Sequence, residues 1–176
     1  MSSRIVIAYW LIPAEPARSF FQAMIKDLAQ QHDAPVFEPH VTVFVGANRV
    51  GAAERALSQV ARDWYPTKLK TLGIAHSDEF IKTLFVRFAP NKRLRQINET
   101  IRDAAQDPSR YELEPHLSLL YKMMPAALRR EVAASISVPY SEVSFDAIKA
   151  VRCVSPTQSR ADVEVWRVVA SAELSA

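Results

Sequence analysis

One hexapeptide pattern occurs twice in this chain. Residues 38–43 read Glu-Pro-His-Val-Thr-Val, and residues 114–119 read Glu-Pro-His-Leu-Ser-Leu. Both have the form Glu-Pro-His-apolar-hydroxyl-apolar, and 116 − 40 places the two histidines 76 residues apart. The chain has four histidines, and two of them occupy the same place in this frame. Such a repeat constrains the fold before any other feature does. Whatever unit holds the first copy should be built again around the second.

The flanking sequence repeats as well. Ahead of the first motif, Ala17, Phe20, Phe21, Met24, Ile25 and Leu28 recur at helical spacing, and Pro16 suits the first turn. After it, Ala53, Ala56, Leu57, Val60, Ala61 and Trp64 predict a second amphipathic helix. Leu94, Ile97, Ile101 and Ala104 predict a third, capped by Asn91, and Leu128, Val132 and Ile136 a fourth, entered at Pro125. β-rich segments fill the gaps at 4–11, 68–75, 81–88 and 143–154, with a closing strand at 163–170. The order strand, helix, motif strand, helix, strand is met twice, with one strand over. It predicts an α+β fold from a duplication: a single bilobal domain over 1–176, with repeats of roughly 4–76 and 81–172. Two pseudo-symmetric antiparallel sheets, flanked by helices, would face a central cleft. No Ser/Gly-rich linker separates the repeats, so the lobes should pack as one unit.

In a strand, side chains alternate between faces. His40 and Thr42 then share one face and Val41 and Val43 the other; His116 and Ser118 are set against Leu117 and Leu119 in the same way. Each motif strand would bury an apolar pair and offer an imidazole and a hydroxyl. Two imidazoles across a bound group suit a general acid and base working near neutral pH. Two hydroxyls suit the non-bridging oxygens of a phosphoryl group. Hydrolysis of a cyclic phosphodiester needs both functions and no metal.

Composition removes the main competitors. Three glycines, Gly46, Gly51 and Gly73, cannot build a Gly-rich phosphate loop. The lone cysteine, Cys153, allows neither an internal disulfide nor a thiolate-rich zinc site, and reads as a buried small hydrophobe. The longest N-terminal apolar stretch, 5–12, is too short to span a membrane and lacks a cleavage pattern. We therefore expect a cytoplasmic protein. The net charge of +3 is mildly basic, with Lys82, Arg87, Lys92, Arg93, Arg95 and Arg102 opposed only by Glu99 between 82 and 102. That stretch is either a solvated helix face or a surface that attracts phosphate.

The paired motifs resemble those of the two-histidine (2H) phosphoesterase superfamily. More narrowly, residues 36–43 and 115–121 resemble the two signatures of the cyclic phosphodiesterases of plants and yeast. Residues 10–13 resemble that family's opening strand, and Trp166 falls where a tryptophan recurs in its last strand. The resemblance covers nearly the whole chain. It implies an RNA-ligase-like fold and a metal-independent cyclic phosphodiesterase without cofactor, expected to be monomeric. His116 would activate water and His40 would protonate the leaving oxygen. Thr42 and Ser118 would hold the phosphate. The implied substrates are 2′,3′-cyclic nucleotides and ADP-ribose 1″,2″-cyclic phosphate.

Three further residues keep two readings each. Tyr121 would contact phosphate or base, yet it has the opposite parity to His116 and reaches the cleft only if the strand ends or twists after Leu120. Trp10 either stacks on substrate or belongs to the core. Lys82 either neutralises phosphate charge or is a solvated edge lysine. Two alternatives to a small-molecule enzyme also stand. One is an enzyme acting on the cyclic phosphate ends of RNA, although the arginine such relatives carry near the second motif is absent here. The other is a nucleotide-binding module that has kept the cleft.

Overall fold

A computed structural model describes residues 2–175. Among the described residues, seven strands and five α-helices follow one another: β1 (Arg4–Pro13), α1 (Ala17–His32), β2 (Val41–Ala47), α2 (Val50–Asp63), β3 (Thr67–His76), β4 (Leu84–Phe88), α3 (Lys92–Ala105), β5 (His116–Leu120), α4 (Ala126–Ser135), β6 (Glu142–Ser155), α5 (Arg160–Glu164) and β7 (Arg167–Glu173). All strand pairings are antiparallel, in the order β1-β2-β5-β4-β3-β6-β7, with β6 also paired to β1. The fold is α+β, as the alternation of periods predicts.

α1 and α3 bury the stripes read from the sequence, whereas α4 buries none of its residues fully and leaves Leu128 exposed. Ala17, Phe21, Ile25 and Leu28 of α1 are buried, as are Leu94, Ile97 and Ile101 of α3. Burying each large aliphatic side chain is worth about 1.5–3 kcal/mol, which outweighs the modest propensities of the β-branched positions. Asn91 caps α3, its side-chain oxygen accepting from the Leu94 amide at 2.8 Å.

Two elements differ from expectation. Residues 80–82 form a single 3₁₀ turn, so β4 starts at Leu84. Ser77 donates to the carbonyl of Lys82 at 2.6 Å and ties that turn down. Residues 160–164 form α5, so the last strand starts at Arg167 and Trp166 lies just before it. Ser159 accepts from the Asp162 amide at 3.3 Å, and Asp162 accepts from the Gln158 amide at 2.9 Å. This Ser-x-x-Asp cap was the available signal.

The sheet has two arms that are not the two repeats side by side. β1 and β2 pair with each other, but β1's other neighbour is β6. β4 and β5 likewise pair, and β4's other neighbour is β3. The third strand of each repeat therefore completes the other arm. Helices cross too: α2 and α3 cover the arm containing β2 and β6, while α1 and α4 pack against β5 and β3. The arms join at the pair Val41–Leu117 and along residues 67–70 against 142–145. The motif strands thus meet at the residues that directly follow His40 and His116.

Candidate active site

Both motif strands carry a bulge at the same place. Along β1, Tyr9 faces Phe44 and Trp10 faces Thr42, leaving Val43 unpaired. Along β4, Leu84 faces Leu120 and Phe85 faces Ser118, leaving Leu119 unpaired. The extra residue shifts the phase of the strand. Val43 and Phe44 both enter the core, and so do Leu119 and Leu120. Val45 and Tyr121 are turned into the cleft instead. This is why Tyr121 lines the cleft despite its parity, and why Leu120 does not.

The two histidines are held alike. His40 Nδ1 lies 2.6 Å from the carbonyl oxygen of Glu38, and His116 Nδ1 lies 2.7 Å from that of Glu114. Each intervening proline fixes its own φ and keeps the preceding glutamate extended. A carbonyl can only accept, so Nδ1 carries the proton in both rings. Nε2 is left as a lone pair in the neutral ring, or as a second donor in the cation. The glutamate carboxylates are engaged as well. Lys149 Nζ lies 2.7 and 2.8 Å from the two oxygens of Glu38, and Lys82 Nζ lies 3.4 Å from Glu114.

An aromatic ring from the neighbouring strand backs each imidazole. Trp10 stacks on His40, and Phe85 meets His116 edge-on, with ring centroids 5.5 Å apart. Trp10 and Phe85 hold equivalent registers, opposite Thr42 and Ser118. Burial lowers the pKa of His40 to about 3, with the bond to Glu38 opposing and His116 adding to the effect. Burial also lowers that of His116, assisted by the nearby charge of Lys82 and opposed by Glu114.

His40, Thr42, His116, Ser118, Tyr121 and Trp10 line one cavity of about 250 Å³. Its floor is apolar, with Val6, Ala8, Val45 and Cys153, and no Lys or Arg lines it. The Ser118 hydroxyl donates to the carbonyl of Ile81 at 2.6 Å, so the two motif hydroxyls are not equivalent. Tyr121 stacks on Phe37 and meets Trp166 edge-on. Lys82 lies outside the cavity, in the groove on the other side of His116 and over the ring of Phe85. Arg93, Arg95 and Arg102 of the basic stretch also lie outside it, and Arg93 sits over Trp64 and Tyr65.

Sequence reasoning missed Phe85, Tyr111 and Lys149, and it singled out Lys82 without its partner Glu114. Phe85 had a signal, because 85 − 10 gives 75, close to the 76-residue repeat. Lys149 had none, since only the β1–β6 pairing brings it near Glu38. Among the described residues, no group of three or more His, Cys, Asp or Glu side chains could hold a metal ion. Among them, too, no helix is long and apolar enough to cross a membrane.

Comparison with known proteins bears on the family and the fold. Residues 5–174 match a family model described as cyclic phosphodiesterase-like protein. A cyclic phosphodiesterase of Arabidopsis thaliana is 22% identical over 174 residues, covering 97% of this chain and 96% of that protein. E. coli LigT complexed with 3′-AMP superposes with a TM-score of 0.59 at 15% identity, over 97% of this chain and 98% of that one. TT0787 of Thermus thermophilus gives 0.58 at 16% identity, over 96% and 97%. At these identities the solved structures speak for a common fold.

Proposed function

The chain belongs to the family of cyclic phosphodiesterase-like proteins, within the 2H phosphoesterases, and is a phosphodiesterase; from that premise we propose that it opens 2′,3′-cyclic nucleotides and ADP-ribose 1″,2″-cyclic phosphate to monophosphates by paired histidine chemistry. The observation that carries this reading is the matched pair of imidazoles. Each has Nδ1 on a glutamate carbonyl, and both line one cavity beside Thr42 and Ser118.

In the proposed reaction on a 2′,3′-cyclic nucleotide, water attacks phosphorus and the bond from phosphorus to the 3′ oxygen breaks. Nε2 of His116, the less buried ring, takes the proton from water. Nε2 of His40 gives a proton to the leaving oxygen. The product is a 2′-phosphate, and solvent exchange returns the proton from one ring to the other. Thr42 donates to a non-bridging oxygen, and Ser118 does the same once its hydroxyl turns from Ile81. Both rings are biased towards neutrality in the free protein. The anionic phosphate between them is what favours a proton on one.

A cavity of this size and apolar floor suits a nucleoside better than a polymer. The arginines of α3, in the stretch read as a solvated face or a phosphate-attracting surface, lie outside the cavity. Binding alone would require no ring with a free Nε2.

Phosphorus NMR of the protein with a 2′,3′-cyclic mononucleotide in EDTA tests the reading. The expected result is conversion to the 2′-phosphate. A 3′-phosphate would reverse the leaving group, and an unchanged cyclic signal for both nucleotide and ADP-ribose substrates would overturn the proposal.

A further inference from the structure

The catalytic cavity opens beside a second groove. Tyr121 walls both. Residues 154–157 also line the cavity, and Gln158 and Arg160 continue into the groove. The groove has a volume of about 400 Å³. Three segments distant in sequence meet there. Lys122 Nζ lies 3.1 Å from the carbonyl oxygen of Asp33. Arg160 Nη2 lies 2.8 Å from that same carbonyl and 2.8 Å from the Asp33 carboxylate. Asp33 ends α1 in the left-handed region, with φ 50°, and its amide bonds back to Ala29.

Two cations therefore converge on one carbonyl and one carboxylate. A helix C-terminus attracts a cation, but these two carry eight N–H donors between them, and Asp33 engages three contacts. The remaining donors and one excess positive charge face a groove at the lip of a cavity that itself contains no Lys or Arg. A substrate with one phosphate between the histidines finds no cation inside that cavity for a second.

We propose that Lys122 and Arg160 form a second anion subsite, which takes a further phosphate of the substrate beyond the nucleoside held in the catalytic cavity. The subsite rests on the cyclic phosphodiesterase reading above and makes molecules with at least two phosphates the preferred substrates within it. The second phosphate could belong to a pyrophosphate bridge or to the next phosphodiester of an oligonucleotide, and the chemistry of recognition is the same.

The test compares three substrates at low salt. They are a plain 2′,3′-cyclic mononucleoside, ADP-ribose 1″,2″-cyclic phosphate, and a dinucleotide ending in a 2′,3′-cyclic phosphate. The protein should favour at least one two-phosphate substrate by about tenfold in kcat/KM, and salt should erode that preference. Lys122→Met and Arg160→Met should each abolish the preference and leave the plain substrate within about twofold. Asp33→Asn, which keeps a residue tolerant of the left-handed region, should strengthen it by removing the competing carboxylate. The substrate that shows the preference identifies the source of the phosphate. Equal losses on all substrates, or no loss on any, would reduce the two cations to a helix cap and overturn the subsite. Failure to hydrolyse any of them would instead sink the underlying reading. Calorimetry with ADP against adenosine, on the wild type and Lys122→Met, would then still judge the groove: tighter ADP binding lost in the variant supports it, and equal binding overturns it.

Discussion

The indole of Trp10 lies flat on the imidazole of His40, with centroids 3.7 Å apart and planes 12° from parallel. The pseudo-equivalent contact of Phe85 with His116 is edge-on, at 69°. Two copies of one motif are thus given unequal surroundings. His40 is sealed beneath Trp10 and Trp166, whereas His116 keeps partial access to solvent. Stacking excludes water from one face of His40 and so contributes to the burial that disfavours its charged form. Replacing Trp10 with Leu should admit water and raise the His40 pKa from about 3 towards the ordinary 6.5. Proton NMR titration of the ring would show this, and an unmoved titration would assign the shift to other neighbours.

Substituting His40 or His116 with Ala should each lower kcat/KM by about 10²–10⁴-fold, with the far-ultraviolet CD spectrum unchanged. The two losses should differ with the leaving group. On a p-nitrophenyl phosphodiester, whose leaving oxygen needs no proton, the His40→Ala defect should shrink and the His116→Ala defect should persist. The opposite pattern would exchange the acid and base roles.

The free enzyme should be most effective on the acid side of pH 6.5. The productive form carries one proton beyond the two held on Nδ1, and both rings lose this extra proton more readily than a free imidazole does. The profile reports how many protons the pair holds, whichever ring holds them, so kcat/KM should rise as pH falls below about 6.5 and fall again nearer 3. An optimum well above 7 would contradict this placement.

Folding stability should share the same origin. His40 stays neutral in the fold down to about pH 3 but takes a proton near 6.5 in the unfolded chain. Between those values the unfolded state binds more protons. Stability is therefore intact above pH 6.5 and is lost as pH falls towards 3. Denaturant melts at about pH 7 and about pH 5 should differ by on the order of 2 kcal/mol from this residue. His40→Gln should remove that part of the difference. Identical pH dependence in the two proteins would mean that His40 is not held neutral.

Lys149 is a positioning residue in this arrangement, acting through Glu38 on the carbonyl that orients His40. Lys149→Met should reduce kcat by about tenfold with little change in KM, and Lys149→Arg should restore most of it. The Nδ1–H resonance of His40 should broaden or shift in the Met variant and return in the Arg variant. A change confined to the melting temperature would make the ion pair purely structural.

Much of this protein is legible in its sequence because periodicity and repetition are local properties. The spacing of Ala17, Phe21, Ile25 and Leu28 already fixes the buried stripe of α1, and Asn91 announces its own cap. The matching Glu-Pro-His frames place two imidazoles and two hydroxyls at equivalent points, and His40, Thr42, His116 and Ser118 do line one cavity. Strict alternation predicts the cleft face up to Thr42 and Ser118 and fails two residues later, at Phe44 and Leu120, which enter the core. The bulges at Val43 and Leu119 are set by strand pairing, which local sequence does not encode. That pairing alone decides that Tyr121 enters the cleft, that Lys149 reaches Glu38, and that the third strand of each repeat completes the other arm. The unequal burial of two nearly identical motifs is also tertiary. It depends on which aromatic ring each histidine meets, and those rings come from other strands.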